Sequence, residues 1–194
     1  GTHWMHSHVP IQEMQLLAAP LIVRRPEDLR VDRQEVTMFL HDFSFRPPEE
    51  VLDEIRSGKG HDEAAEAEMS QPAGHDMGSG MAMNGMSEMS GMSMPGMTGM
   101  QMDLNDFDFD AYLVNDRTLS DPEVVRVEKG GRVLLRVINA AAATSFWIDT
   151  GGIAARLVAV DGHPVEPVPG TRFGLAMGQR LDLEIDIPDA GAFP

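Results

Sequence analysis

Apolar and polar residues alternate with a period of two over residues 133–139 (VLLRVIN) and 181–187 (LDLEIDI). On an extended backbone successive side chains point to opposite faces, so each run predicts a strand with one face buried and the other in water. Shorter strand-like runs surround them (AYLVND, EVVRV, FWIDT, ARLVAVDG), and KGG, DTGG and VDGHP supply the turns. Upstream, THWMHSH, APLIV and QEVTMFL read as three further strands, with a short helical turn in the VPIQEMQLLA connector. Pro20 suits a strand entrance, where a missing N–H breaks no ladder bond. The stretch RPPEEVLDEIRSGKG reads instead as a short helix: Pro47 and Pro48 open it, Glu49 and Glu50 complement its positive end, and Gly58 marks its stop. From there to Met102, Gly, Ser and Met dominate with neither period, which predicts a disordered insertion that buries too little apolar surface to offset its ordering entropy. The fold class expected is all-β, a Greek-key β-sandwich. Three zones are expected: strands over 1–40, the helix and insertion over 41–105, and a second β unit over 106–194.

Charge narrows the partners. The 194 residues carry a formal net charge of −16, which argues against nucleic acid, whose phosphates need a basic face, and against an anionic membrane surface. Cations fit better. There is no cysteine, so disulfides, thiolate metal sites and cysteine nucleophiles are excluded within these residues. No apolar run reaches about 18 residues, the length of a membrane-spanning helix. The chain opens within a strand-like pattern and stops directly after another, as expected of a piece of a longer protein.

Candidate chemistry begins in GTHWMHSH. Strand geometry puts Thr2, Trp4, His6 and His8 on one face, with alternate residues roughly 6.6–7 Å apart, and turns His3, Met5 and Ser7 away. His6 and His8 form an H-x-H pair able to converge on one metal ion or to serve two neighbouring ions. Imidazole suits copper, zinc, iron and nickel alike, and an ordinary strand with two unremarkable histidines fits the same pattern. Eleven methionines between Met69 and Met102 favour a soft ion such as Cu(I), because a thioether is a soft, neutral ligand. The candidate thioethers are Met81, Met83, Met86, Met89, Met92, Met94, Met97, Met100 and Met102; His61, His75, Asp62, Asp76 and Glu88 are possible additional ligands for Cu(II). A linker without function is the alternative reading of that tract.

GTHWMHSH, followed by Gln12 and then AAPLIV, resembles the second copper-binding motif of the multicopper oxidases. LVNDR, VLLRVINA, the Asp161-Gly162 turn and GQRLDLEI resemble that family's middle cupredoxin domain, in the same order. The Met-rich tract is similar to insertions in the family's copper-resistance branch. The resemblance implies a cupredoxin-like fold, with 1–40 ending a first domain and 106–194 forming most of a second. It implies copper as cofactor, His6 and His8 as ligands of the type-3 copper pair, dioxygen as electron acceptor and a periplasmic location. The family also requires an upstream H-x-H-G motif and a downstream H-C-H segment whose cysteine binds type-1 copper, and neither occurs in these residues. The expectation is therefore part of an oxidase acting in copper tolerance on Cu(I) or phenols, inactive by itself. The rivals are a non-catalytic copper-sequestering protein working through the methionines and a mononuclear zinc or copper site at the H-x-H pair.

Remaining candidates read as structural. His41-Asp42 fits a base and its orienting acid, but a surface histidine is the simpler expectation. His163 reads as a turn residue, and Phe146 and Trp147 as core aromatics. No nucleotide-binding glycine loop, serine-nucleophile elbow or H-E-x-x-H helix is present.

Overall fold

The structure, a computed structural model, describes residues 1–57 and 108–188. The chain divides into two units, Gly1–Val51 with Asp108–Pro194, and Leu52–Phe107. Of the second unit the described residues are 52–57, the end of α2 (Pro48–Ser57), where the Ser57 hydroxyl donates to the Glu54 carbonyl at 3.0 Å. The tract holding Met81 to Met102, with His61 and His75, lies outside the described residues.

Among its described residues the first unit is all-β apart from α1 (Pro10–Met14), a short 3-10 turn and the start of α2. Its main sheet has seven strands in the order β5-β4-β3-β6-β11-β8-β9. These are β3 (Gln34–Phe43), β4 (Ala111–Val114), β5 (Arg117–Thr118), β6 (Arg132–Asn139), β8 (Ala155–Val160), β9 (His163–Gly170) and β11 (Arg180–Asp186). All pairings are antiparallel except β3 with β6, which run parallel. Two tight turns follow from residues that tolerate positive φ. Asn115 (φ 50°) with Asp116 (φ 62°) joins β4 to β5, and Asp161 (φ 52°) with Gly162 (φ 79°) joins β8 to β9. Positive φ at both central positions matches the right-handed twist of the flanking strands.

A ribbon of β7 (Phe146–Asp149) and β10 (Arg172–Leu175) covers one face of the sheet. Ile148, Phe173 and Leu175 from the ribbon join Leu40, Val137, Leu181, Leu183 and Ile185 from the sheet in one apolar core. The opposite face differs from the sequence expectation of a wetted surface. Leu134, Arg136, Ile138 and Asp182 project there and are buried as well. That face receives the hairpin of β1 (Thr2–His6) and β2 (Ala18–Ile22), whose Thr2 meets Arg136 and Asp182.

Other expectations change with the topology. Residues 123–127, EVVRV, form no strand and leave Val124 84% exposed. Trp147 is 68% exposed rather than a core residue: it packs over Gly174 and lies under the Arg172 guanidinium, 5.4 Å from its ring. Pro20 sits within β2, opposite Trp4, not at its entrance. The boundary expected after residue 40 falls inside β3, which pairs with β4 and β6 through Leu40.

Candidate metal centre

β1 and β2 pair antiparallel, with Trp4 opposite Pro20 and His6 opposite Ala18. β1 stops at His6 and the chain bends through Ser7 and His8 before α1. This bend brings the His6 and His8 rings to 4.7 Å between centroids, at 30°, closer than the strand spacing anticipates. Trp4 stacks on His6 at 4.3 Å and 16°. The Trp4 indole N–H faces the Gly178 carbonyl at 3.3 Å, which ties the stack to the loop before β11.

α1 then returns an acid to the histidine. Pro10 opens the helix, where its missing N–H breaks no bond. Leu16, at φ 61°, closes it in the left-handed region that glycine favours. One turn in, Glu13 places Oε1 2.6 Å from His6 Nδ1, and the Ser7 carbonyl oxygen lies 2.9 Å from the same nitrogen. The Ser7 hydroxyl donates to Gln12 Oε1 at 2.6 Å and accepts from the Val9 N–H at 3.1 Å, pinning the bend. His6, Glu13, Trp4, Met177 and Gly178 line a cleft of about 220 Å³ completed by Ala18 and Ala140 to Ala142.

The hairpin's other end is fastened inside the protein. Arg136, 2% exposed, donates from Nη1 to Thr2 Oγ1 and Asp182 Oδ2, both at 2.8 Å. Its Nη2 and Nε reach the Glu35 carboxylate at 3.0 and 3.3 Å, and Arg24 approaches Glu35 at 2.9 Å. Burial raises the Glu35 carboxyl, yet the bonds from Arg136 and Arg24 outweigh it and hold the group below its ordinary range. For Asp182 burial dominates and pushes the carboxyl up, against the bonds from Thr2 and Arg136.

The His41-Asp42 pair is not at the surface. Both residues are buried. Asp42 accepts from the N–H groups of Ala142 and Ala143 and from the Thr144 hydroxyl, each at 2.9 Å, and so shapes the alanine loop that walls the cleft. Asn139, fully buried, holds the same loop from within through the Thr144 carbonyl and the Ala141 N–H. His163 begins β9, directly after the Asp161-Gly162 turn. Asn139 and Glu13 are the residues that sequence reading passed over, whereas Asp42 was weighed there only as an orienting acid for His41. Only Glu13 left a signal, an acid in the first turn of a helix opened by proline.

A family model described as multicopper oxidase matches residues 59–193, well over half of the chain. The chain belongs to the multicopper oxidase family. Over its whole length it is 27% identical to multicopper oxidase MmcO of Mycobacterium tuberculosis, covering 35% of that protein. Over 96% of its length it is 26% identical to copper resistance protein A of Escherichia coli, covering 31% of that one. It thus spans about a third of the curated relatives it matches. In fold it is similar to the crystal structure of Fet3p, a multicopper oxidase that functions in iron import, with a TM-score of 0.64 at 15% identity over 98% of this chain and 28% of that one. It is also similar to a multicopper oxidase from Pseudomonas thermotolerans, with a TM-score of 0.61 at 23% identity over 100% of this chain and 37% of that one. These likenesses agree with the all-β, cupredoxin-like architecture expected.

Copper is the cofactor of this family, and the side chains suit it. Two imidazoles stand side by side, one of them with Nδ1 facing Glu13 Oε1, and imidazole is a good copper donor. Among the described residues no group of three or more His, Cys, Asp or Glu side chains is placed to enclose an ion. His6 and His8 by themselves do not enclose an ion. They lie outside the residues matched by the family model.

Proposed function

We propose that this chain is the part of a copper-dependent oxidase that contributes His6 and His8 to the type-3 copper pair. The whole protein would withdraw single electrons from Cu(I) or a phenolic reductant and deliver four of them, with four protons, to dioxygen, giving two waters. The observation that supports this most directly is the juxtaposition of the two imidazoles at the end of β1, 4.7 Å apart. Bound copper supplies the one-electron chemistry that these side chains lack. Their task is to hold the site in place: Trp4 fixes the plane of His6, and the Arg136 network fixes the strand that presents it. A role in copper tolerance draws support from the likeness to copper resistance protein A, and a periplasmic location rests on the family resemblance alone.

In the full-length protein, His6→Ala and His8→Ala are expected to lower dioxygen uptake by more than about 100-fold, the upper end of what loss of a metal's outer partners costs. Bound copper per protein should fall with it. Unchanged uptake and copper content would overturn the assignment. The eleven methionines favour a second reading, copper capture through thioethers.

A further inference from the structure

We infer that Glu13 fixes the tautomer of His6 and thereby makes Nε2 the metal-binding atom of that ring. The inference rests on the proposal that His6 is a copper ligand. His6 Nδ1 faces two oxygens, Glu13 Oε1 at 2.6 Å and the Ser7 carbonyl at 2.9 Å. Both are acceptors. A lone pair on Nδ1 would point at two negative oxygens, so the nitrogen carries the hydrogen and donates. A neutral imidazole has one N–H, which leaves the lone pair on Nε2.

The same contact selects the ring's orientation. Turning the imidazole over would exchange Nδ1 for a carbon and abandon both acceptors. Stacking on Trp4 fixes the plane of the ring but does not distinguish its two flipped states. Glu13 does distinguish them, and its own position is set by α1, where its N–H donates to the Val9 carbonyl at 3.1 Å and its carbonyl accepts from Leu16 at 2.9 Å. Glu13 is therefore a positioning residue that acts through His6. The alternative is an ordinary half-exposed ion pair, which would contribute little to anything beyond local stability.

The two accounts separate on what Glu13 must supply. Tautomer control needs an acceptor oxygen, which an amide also provides; an ion pair needs the charge. In the full-length protein, copper retention against increasing chelator should therefore be about 10- to 100-fold weaker for Glu13→Ala, the effect typical of losing a metal's outer partner. Glu13→Gln should stay close to the unsubstituted protein. Glu13→Ala indistinguishable from the parent would overturn the inference, as would Glu13→Gln as weak as Glu13→Ala. His6→Ala serves as the reference arm: if it leaves copper retention unchanged, the copper assignment itself fails, whereas loss in His6→Ala alone removes only the role of Glu13. Nitrogen-15 shifts of the metal-free protein with labelled histidine test the tautomer without any change to Glu13, the His6 signal being assigned by its absence in His6→Ala. A hydrogen found on Nε2 of His6, with Nδ1 bare, would also overturn it.

Discussion

His41 shows how far a side chain's surroundings can depart from what its neighbours in sequence suggest. It stands at the end of a ten-residue strand beside an acid, an arrangement that reads as surface, yet it is buried with its ring edge-on to Phe39 at 4.6 Å. Burial pushes its pKa below the ordinary value near 6.5, while Asp116, Asp42 and a bond to the Ala140 backbone pull the other way. Between the lowered folded value and about 6.5 the unfolded chain binds more protons than the folded one. The contribution of His41 to stability is thus present above about 6.5 and is lost as pH falls through the folded value. Thermal unfolding should show a midpoint that declines on acidification from neutral pH, and His41→Gln, which keeps a donor but does not titrate, should flatten that decline. Parallel declines in the two proteins would rule the mechanism out. Nothing local in MFLHDF announces any of this, because it is the alanine loop, about 100 residues away along the chain, that covers Asp42.

Elements were legible where their signal is local. The alternating runs became strands β6 and β11, though with both faces covered over part of their length. Asp161-Gly162 formed the turn its residues predict, whereas Asn115-Asp116, read as the end of a strand, turned out to be a turn. β9, HPVEPVPG, gave no strand signal because three prolines interrupt it; they are tolerated since β9 forms the edge of the sheet. Which sheet β3 joins depends on parallel pairing with a strand nearly 100 residues on, and a local pattern carries no such information. The H-x-H pair could be placed on one strand face, but Glu13 meets His6 only because α1 turns back. The same limit hid the Arg136 network, in which a charged residue at an apparently wet position anchors β1. Arg136→Met should destabilise the protein by about 3–5 kcal/mol in chemical denaturation, since Asp182 stays buried without its cation. Adding Asp182→Leu should recover part of that loss, because no unpaired carboxylate is then buried beside β1. Recovery is incomplete because the buried Thr2 hydroxyl has lost both partners, while Glu35 keeps its contact with Arg24. A double variant weaker than the single one would show that the network is required for specific packing rather than compensated charge.

At the scale of the molecule, the methionine tract and the β unit are separable by the way the chain enters and leaves. β3 and β4 pair antiparallel with Phe43 opposite Ala111, so the residues between begin and end at one strand pair. Asp110 reinforces the junction by accepting from the Ser44 hydroxyl and the Phe45 N–H, both at 2.8 Å. Removing residues 69–102 would leave about half of the intervening segment and an intact junction. Halving a closed loop changes its closure entropy by about 0.6 kcal/mol, in favour of the folded state. The full-length protein lacking 69–102 should therefore unfold within about 1 kcal/mol of the parent. Under anaerobic conditions it should bind distinctly fewer Cu(I) ions, because the thioethers that suit a soft ion are gone. Loss of Cu(I) with the sheet intact would assign capture to the methionines and leave His6 and His8 to the dioxygen-reducing site. Unchanged Cu(I) stoichiometry would remove the tract from copper chemistry and reduce it to a spacer on a fold that tolerates length at this junction.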